Sequence, residues 1–142
     1  MTDDAQDHPT DHAGLGVLSV EDCNELLYET EIGRVAFMSE GDIVILPINY
    51  RFVDSTVVFQ TTDGSKLDMA AEHKTVAFEI DGFDPVQQTG WSVLVKGTAQ
   101  YVMEEEVEAQ LRRLGLRPWA PYTRERRWVR ILPNEITGRK IE

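Results

Sequence analysis

Between residues 59 and 67 the chain reads Phe59-Gln60-Thr61-Thr62-Asp63-Gly64-Ser65-Lys66-Leu67. An apolar strand ends there in two hydroxyl side chains, turns through Asp63-Gly64 and reopens with Ser65-Lys66 at a predicted helix start. Backbone N–H groups at such a start have no partner within the helix, and hydroxyls can donate to the same ligand. A lysine beside them adds a full positive charge. The chemistry this spacing points to is binding of a phosphate. The same residues also make an ordinary Asp-Gly turn followed by an ordinary Ser N-cap, so the nine residues alone leave both readings open.

A second set of cations lies further on. Seven arginines fall between Arg112 and Arg130, interleaved with Trp119, Tyr122 and Trp128. They could grip a phosphate-bearing ligand, or they could be the solvated end of a helix and the loop after it. Other chemistry-bearing residues are sparse. Cys23 is the single cysteine, so it forms no internal disulfide, and its place on an apolar helix side reads as a buried thiol. His8 and His12 are four apart beside Asp7 and Asp11, but Pro9 argues against the helix a metal site would need, and no metal is expected. Tyr50, His73 and Tyr122 are available as proton donors or acceptors, and none stands out; the catalytic residues stay unknown.

With 142 residues, 42% of them hydrophobic, the chain is expected to be one globular domain. No apolar run approaches the ~20 residues that span a bilayer, and no basic-then-apolar leader opens the chain, so the expectation is a cytoplasmic protein without a membrane partner. The net charge of −11 sits mostly in the first 31 residues, with nine acids and no Lys or Arg. The rest carries sixteen acids against fourteen bases. Nucleic acid is therefore not an expected partner, since it draws on a strong positive field.

Residues 1–16 are polar and aperiodic and are expected to be a disordered acidic tail, followed by a folded domain over 17–142. Ser19-Val20-Glu21-Asp22 opens a short amphipathic helix over about 20–30. From Gly33 the period changes to that of strands. One hairpin turns at Ser39–Asp42, and Pro47 ends or edges its second strand, having no N–H to give a ladder. Another hairpin turns at Asp54-Ser55. A helix is expected over 65–72, a strand over 76–80, a loop from Asp81 to Gly90 and a long strand from Trp91 to Val102 bent at Gly97. A helix over about 104–114 and a last strand over 128–131 follow. Short antiparallel links with three small helices favour a mainly β fold, an antiparallel barrel with peripheral helices.

Several segments in this order resemble the flavin-binding split-barrel family related to pyridoxamine 5′-phosphate oxidase. They are Ile32-Gly33-Arg34-Val35-Ala36, Leu46-Pro47-Ile48-Asn49-Tyr50, Val58-Phe59-Gln60-Thr61 through Lys66, Val76 to Asp81, Gly90-Trp91-Ser92-Val93 with Gly97, and Ile136-Thr137-Gly138-Arg139. The resemblance spans about residues 18–141. It implies a six-stranded antiparallel split β-barrel, a homodimer, and FMN in clefts between the protomers. It also implies that Ser65 and Lys66 hold the FMN phosphate with help from Thr61 and Thr62. Pro47, Ile48 and Asn49 would then border the isoalloxazine ring, and Trp91 and Ser92 would reach the flavin from the second subunit. The residues themselves leave Pro47 open as an edge-strand device and Trp91 as plain core.

The biosynthetic oxidase of that family uses an Arg and a His close together near its C-terminus. Here no histidine follows His73, so Arg130 and Arg139 have no such companion. The resemblance therefore implies a flavin-dependent oxidoreductase of an unassigned small molecule rather than the vitamin-forming enzyme. A deazaflavin-dependent reductase, or a non-enzymatic module binding flavin or haem, would suit the same residues.

Overall fold

The computed structural model describes residues 10–11, 14–119 and 125–141. Of the expected tail over 1–16, residues 1–9 and 12–13, with His8 and His12, lie outside the described residues, as do Tyr122 and Arg124. The described part of the tail is held to the fold, with Thr10 bridged to Gly16, Gly16 paired with Lys140 and Asp11 ion-paired with Arg139. In chain order the elements are β1 (Gly16–Val17), α1 (Val20–Glu29), β2 (Ile32–Ser39), β3 (Asp42–Asn49), β4 (Arg51–Val53) and β5 (Thr56–Thr62). Then come α2 (Lys66–Met69), β6 (Glu72–Asp84), β7 (Thr89–Tyr101), α3 (Glu105–Arg112) and β8 (Arg126–Ile141). The sheet order is β3-β2-β6-β7-β8-β5-β4, with β1 added along β8, and the ladders are antiparallel.

Six strands are seven residues or longer, which are the six of the expected split barrel; the two- and three-residue β1 and β4 are additions at its margins. The chain passes from one sheet edge, β3, to the other, β4, through Tyr50 alone. The two edges must therefore meet at this residue, and the sheet curls. Tyr50 is fully buried; its N–H donates to the Glu31 carbonyl (3.1 Å) and its hydroxyl donates to the Leu27 carbonyl (2.7 Å). Its ring meets Phe78 edge-on at 4.7 Å between centroids. Burial also raises the tyrosine pKa, so this corner stays neutral and hydrogen-bonded.

Inside the curl lie Val35, Phe37, Val57, Phe59, Phe78, Ile80, Val93, Val95, Val129 and Ile131, sealed at one end by Cys23 and Leu27 of α1. Burying each large side chain stabilises by about 1.5–3 kcal/mol. Ser19 caps α1, its Oγ accepting from the Asp22 N–H at 3.1 Å, as the sequence predicts. The Cys23 thiol is free and buried, and burial pushes its pKa up, as an inert core cysteine requires.

Three expected boundaries change. The loop over 81–90 is mostly strand: Asp81, Gly82, Phe83 and Asp84 pair with Ser92, Trp91, Gly90 and Thr89. Gly82 is there because a Cβ would run into the Trp91 indole, at 2.7 Å from its nitrogen. The Asp84 carboxylate accepts from the Val86 and Gln87 N–H groups and makes the turn. The last strand runs over Arg126–Ile141 instead of 128–131. Pro133 does not break it, because it falls beyond the β5 pairing and opposite the bulge at Lys96/Gly97. The helix expected over 65–72 is one turn, since Glu72 already begins β6.

Candidate functional site

β3 and β5 face each other across the split without pairing, and α2 follows β5 directly. Between them lies a cavity of about 270 Å³. Pro47, Ile48, Asn49, Thr61, Thr62, Ser65 and Lys66 all line it, so seven residues that the sequence singles out converge on one place. Leu46, Gln60, Leu67, Pro118 and Trp119 complete its walls. Pro47 is also an edge-strand residue, on the outermost strand of the sheet, as its missing N–H allows.

The turn is organised by a residue the sequence reading passed over. Asp68 is buried, and its carboxylate accepts from the Thr61 hydroxyl (3.0 Å), the Gly64 N–H (3.1 Å) and the Tyr101 hydroxyl (2.7 Å). Its own N–H donates to Ser65 Oγ at 3.1 Å. The pattern Ser65-x-x-Asp68 is a capping signature and was the available signal. Gly64 holds a positive φ of 77°, which a glycine adopts freely. Burial, with Asp68 beside it, pushes the Tyr101 pKa up to about 12, so this phenol remains a donor at neutral pH.

These bonds decide which groups face a ligand. The Thr61 hydroxyl proton and the Gly64 N–H are directed to Asp68. Ser65 Oγ accepts from Asp68, which leaves its own proton to donate. Lys66 is exposed along the cavity wall, and its ammonium has no carboxylate partner among the described residues. With α2 only one turn long, positive character here rests on that ammonium more than on a helix dipole. Gln60 is buried in the wall, and its side-chain oxygen has no hydrogen-bond partner. An unsatisfied buried amide costs about 1–3 kcal/mol, so a ligand donor would find a use for it. An anionic group joined to an apolar, flat body fits this lining.

Trp91 and Ser92 lie elsewhere. Trp91 sits in grooves with Gly82, Phe83, Gly90 and Lys140, and Ser92 pairs across strands with Asp81 and Arg139. Arg139 is ion-paired with Asp11 at 3.0 Å. The arginine stretch does not gather into one site: Arg112 pairs with Glu108, Arg127 with Asp63 and Arg130 with Glu104, while the Trp128 ring is buried.

A curled antiparallel sheet of six long strands, split at Tyr50 and holding a cavity in the split, defines a split-barrel protein. The family model described as pyridoxamine 5′-phosphate oxidase matches residues 19–140, and the chain belongs to that family. It is 38% identical to the FAD binding protein from Mycobacterium smegmatis, whose structure superposes with a TM-score of 0.77 over 89% of this chain and 99% of that one. It is 32% identical to a conserved protein of unknown function from Corynebacterium diphtheriae, with a TM-score of 0.75 over 90% of this chain and 98% of the other. The uncharacterized protein Rv0080 of Mycobacterium tuberculosis is 34% identical over 129 residues, 87% of this chain and 84% of its own length. No helix among the described residues is long and apolar enough to cross a membrane.

Proposed function

We propose that the β3–β5 cavity seats a flavin nucleotide by its phosphate, and that the protein is a flavin-dependent oxidoreductase of a small molecule. The observation that carries this reading is Lys66: a lysine without a carboxylate partner among the described residues lines a cavity with one hydroxyl-bearing end and one apolar wall, beside the Ser65 hydroxyl, whose proton is left to donate. Lys66 and Ser65 would hold the phosphate, with Thr62 beside them. Asp68 would keep their turn in shape, and Leu46, Pro47 and Ile48 would shield one side of the ring from water. A bound flavin supplies hydride and electron transfer, and the chain supplies binding, orientation and a dry wall. FMN is the proposed form, as the resemblance to the family implies. The FAD-binding relative makes FAD the rival arm of the test.

The cavity volume of about 270 Å³ is below the ~300–1,000 Å³ of complete small-molecule sites, which supports a homodimer in which a second copy closes the site. Trp91 and Ser92, remote from the cavity of their own chain, would then serve the partner's. The outer face of β2 and β3 exposes Met38 (55%), Ile43 (76%) and Ile45 (64%), an apolar surface suited to a self-complementary contact. Light scattering should give twice the 16.1 kDa of one chain; the monomer mass at micromolar concentration would remove this part of the proposal.

The absorbance spectrum of freshly purified protein, followed by titration with FMN and FAD, tests the cofactor. Flavin bands or saturable flavin binding are expected. Deazaflavin or haem bands, or no binding of either flavin, would overturn the reading. Steady-state turnover with a reduced nicotinamide then separates an enzyme from a carrier.

A further inference from the structure

Asn49 closes β3, and both ends of its side-chain amide are used by one distant segment. Its Nδ2 donates to the Arg117 carbonyl at 2.9 Å, and its Oδ1 accepts the Trp119 indole N–H at 3.1 Å. A donor and an acceptor partner together also fix which way the amide points. Residues 117–119, which follow α3, are thus fastened to the barrel at the cavity rim, where Pro118 and Trp119 form part of the wall. Trp119 remains 59% exposed although its one polar atom is satisfied. A single exposed tryptophan is unremarkable in itself. An indole held by a hydrogen bond to an amide that is itself anchored on the Arg117 carbonyl, against a cavity, is different, because its position is fixed while much of its surface stays exposed.

We propose that Trp119 is the aromatic wall on which the planar part of the bound flavin stacks, and that Asn49 is a positioning residue that holds it there. The inference rests on the flavin reading and changes the role of Asn49: its amide is committed to Arg117 and Trp119, so it acts on the ligand through the indole. Offset stacking of two aromatic systems contributes beyond plain area burial, and it requires the rings to be presented at a set angle. Holding the indole in advance removes the ordering that binding would otherwise require. No sequence spacing foreshadows this, since residues 49 and 119 lie seventy positions apart.

The test uses the full-length chain and titrates FMN and riboflavin by flavin fluorescence. Trp119→Leu should weaken both flavins by the same factor, about three- to tenfold, because stacking ignores the phosphate. Trp119→Phe should retain most of the affinity, since a ring remains. Bound flavin should be dim in the wild type, where a stacked indole quenches it, and brighter in Trp119→Leu. Asn49→Ala should weaken both flavins in the wild-type background and add little in the Trp119→Leu background, as coupled residues do. Unchanged affinity and emission in Trp119→Leu, a loss confined to FMN, or additive effects of the two substitutions would each overturn the inference while leaving flavin binding intact. A wild type that binds neither flavin would sink the flavin reading itself, and this inference with it.

Discussion

Two stretches of this chain offer themselves as phosphate sites, the turn at Thr61–Lys66 and the arginine run from Arg112 to Arg130. The fold treats them oppositely. Arg112, Arg127 and Arg130 each have a carboxylate within 4 Å, at 3.5, 2.9 and 2.9 Å, and their side chains spread over α3 and both faces of β8. Lys66 has no such neighbour among the described residues and lines a cavity. Three of the seven arginines in these nineteen residues are thus spent on ion pairs with carboxylates, and Lys66 is left for a ligand. The number of cations in a segment says little about anion binding; what counts is which of them the fold leaves without a counter-charge.

The comparison fails first at Asp68 if the turn does not depend on it. Asp68→Ala strips the Thr61 hydroxyl, the Gly64 N–H and the Tyr101 hydroxyl of their acceptor at once. An unsatisfied buried donor such as the Thr61 hydroxyl costs about 1–3 kcal/mol, the part-buried Gly64 and Tyr101 donors cost less, and release of a buried carboxylate offsets some of it, so a loss of roughly 1–3 kcal/mol is expected. Urea titration should show a lower midpoint with little change in slope. Stability equal to the wild type would mean that the turn holds its shape without Asp68.

Lys66→Ala addresses the lysine directly. Loss of a charge-assisted contact to phosphate should cost on the order of 1.5–3 kcal/mol, roughly ten- to a hundredfold in the FMN dissociation constant. Riboflavin, which lacks the phosphate, should bind almost as before, and Lys66→Arg should recover part of the loss with a different geometry. Equal losses for the two flavins would assign Lys66 to the ring or the fold and end the phosphate reading.

Much of this site could be read from the residues because its parts are local. The nine residues from Phe59 to Leu67 form one strand end, turn and helix start, and turn chemistry is written in Asp-Gly and Ser. The Leu46–Asn49 strand shows in its apolar pattern and its proline. What could not be read depends on pairing at a distance. Trp119 reaches the cavity through Asn49, and Asp81 to Asp84 become strand only because β7 lies opposite. Pro133 reads as a break until the bulge at Gly97 is known. Trp91 and Ser92 lie away from the cavity of their own chain, so the role the resemblance implies for them would need a second copy, which no pattern within one chain can express.

Arg127→Ala sharpens the other half of the comparison. Arg127 is near enough to the turn to matter if proximity were sufficient: it pairs with Asp63 at 2.9 Å and lies 5.2 Å from the Tyr101 ring centroid. Both members of the pair are about half exposed, so water and salt screen it and it should contribute little to stability. FMN affinity should change less than about threefold, because an arginine already neutralised by Asp63 offers little to a phosphate. A loss as large as that of Lys66→Ala would show that a paired cation serves the ligand after all.

The smallest effect belongs to another paired arginine, Arg34, on the outer face of β2 and β6. Arg34 lies 3.3 Å from both Glu79 and Asp81, and the two carboxylates crowd each other. Burial, then Asp81, pushes the Glu79 pKa from 4.5 up to about 7, against the pull of Arg34. The folded state therefore holds the Glu79 proton more tightly than the unfolded chain. By linkage, this group's contribution is fully present below about pH 4.5 and is lost as pH rises through about 7. Solvent screening at a side chain one-third exposed limits the contribution to about 1 kcal/mol or less. Other acids titrate in the same range, so the measurement is the difference in melting temperature between wild type and Glu79→Gln from pH 5 to pH 8. Glutamine mimics the protonated form, so the variant should gain on the wild type as pH rises. A difference that stays constant with pH would mean that Glu79 is already ionised at pH 5 and that Arg34 outweighs both burial and Asp81.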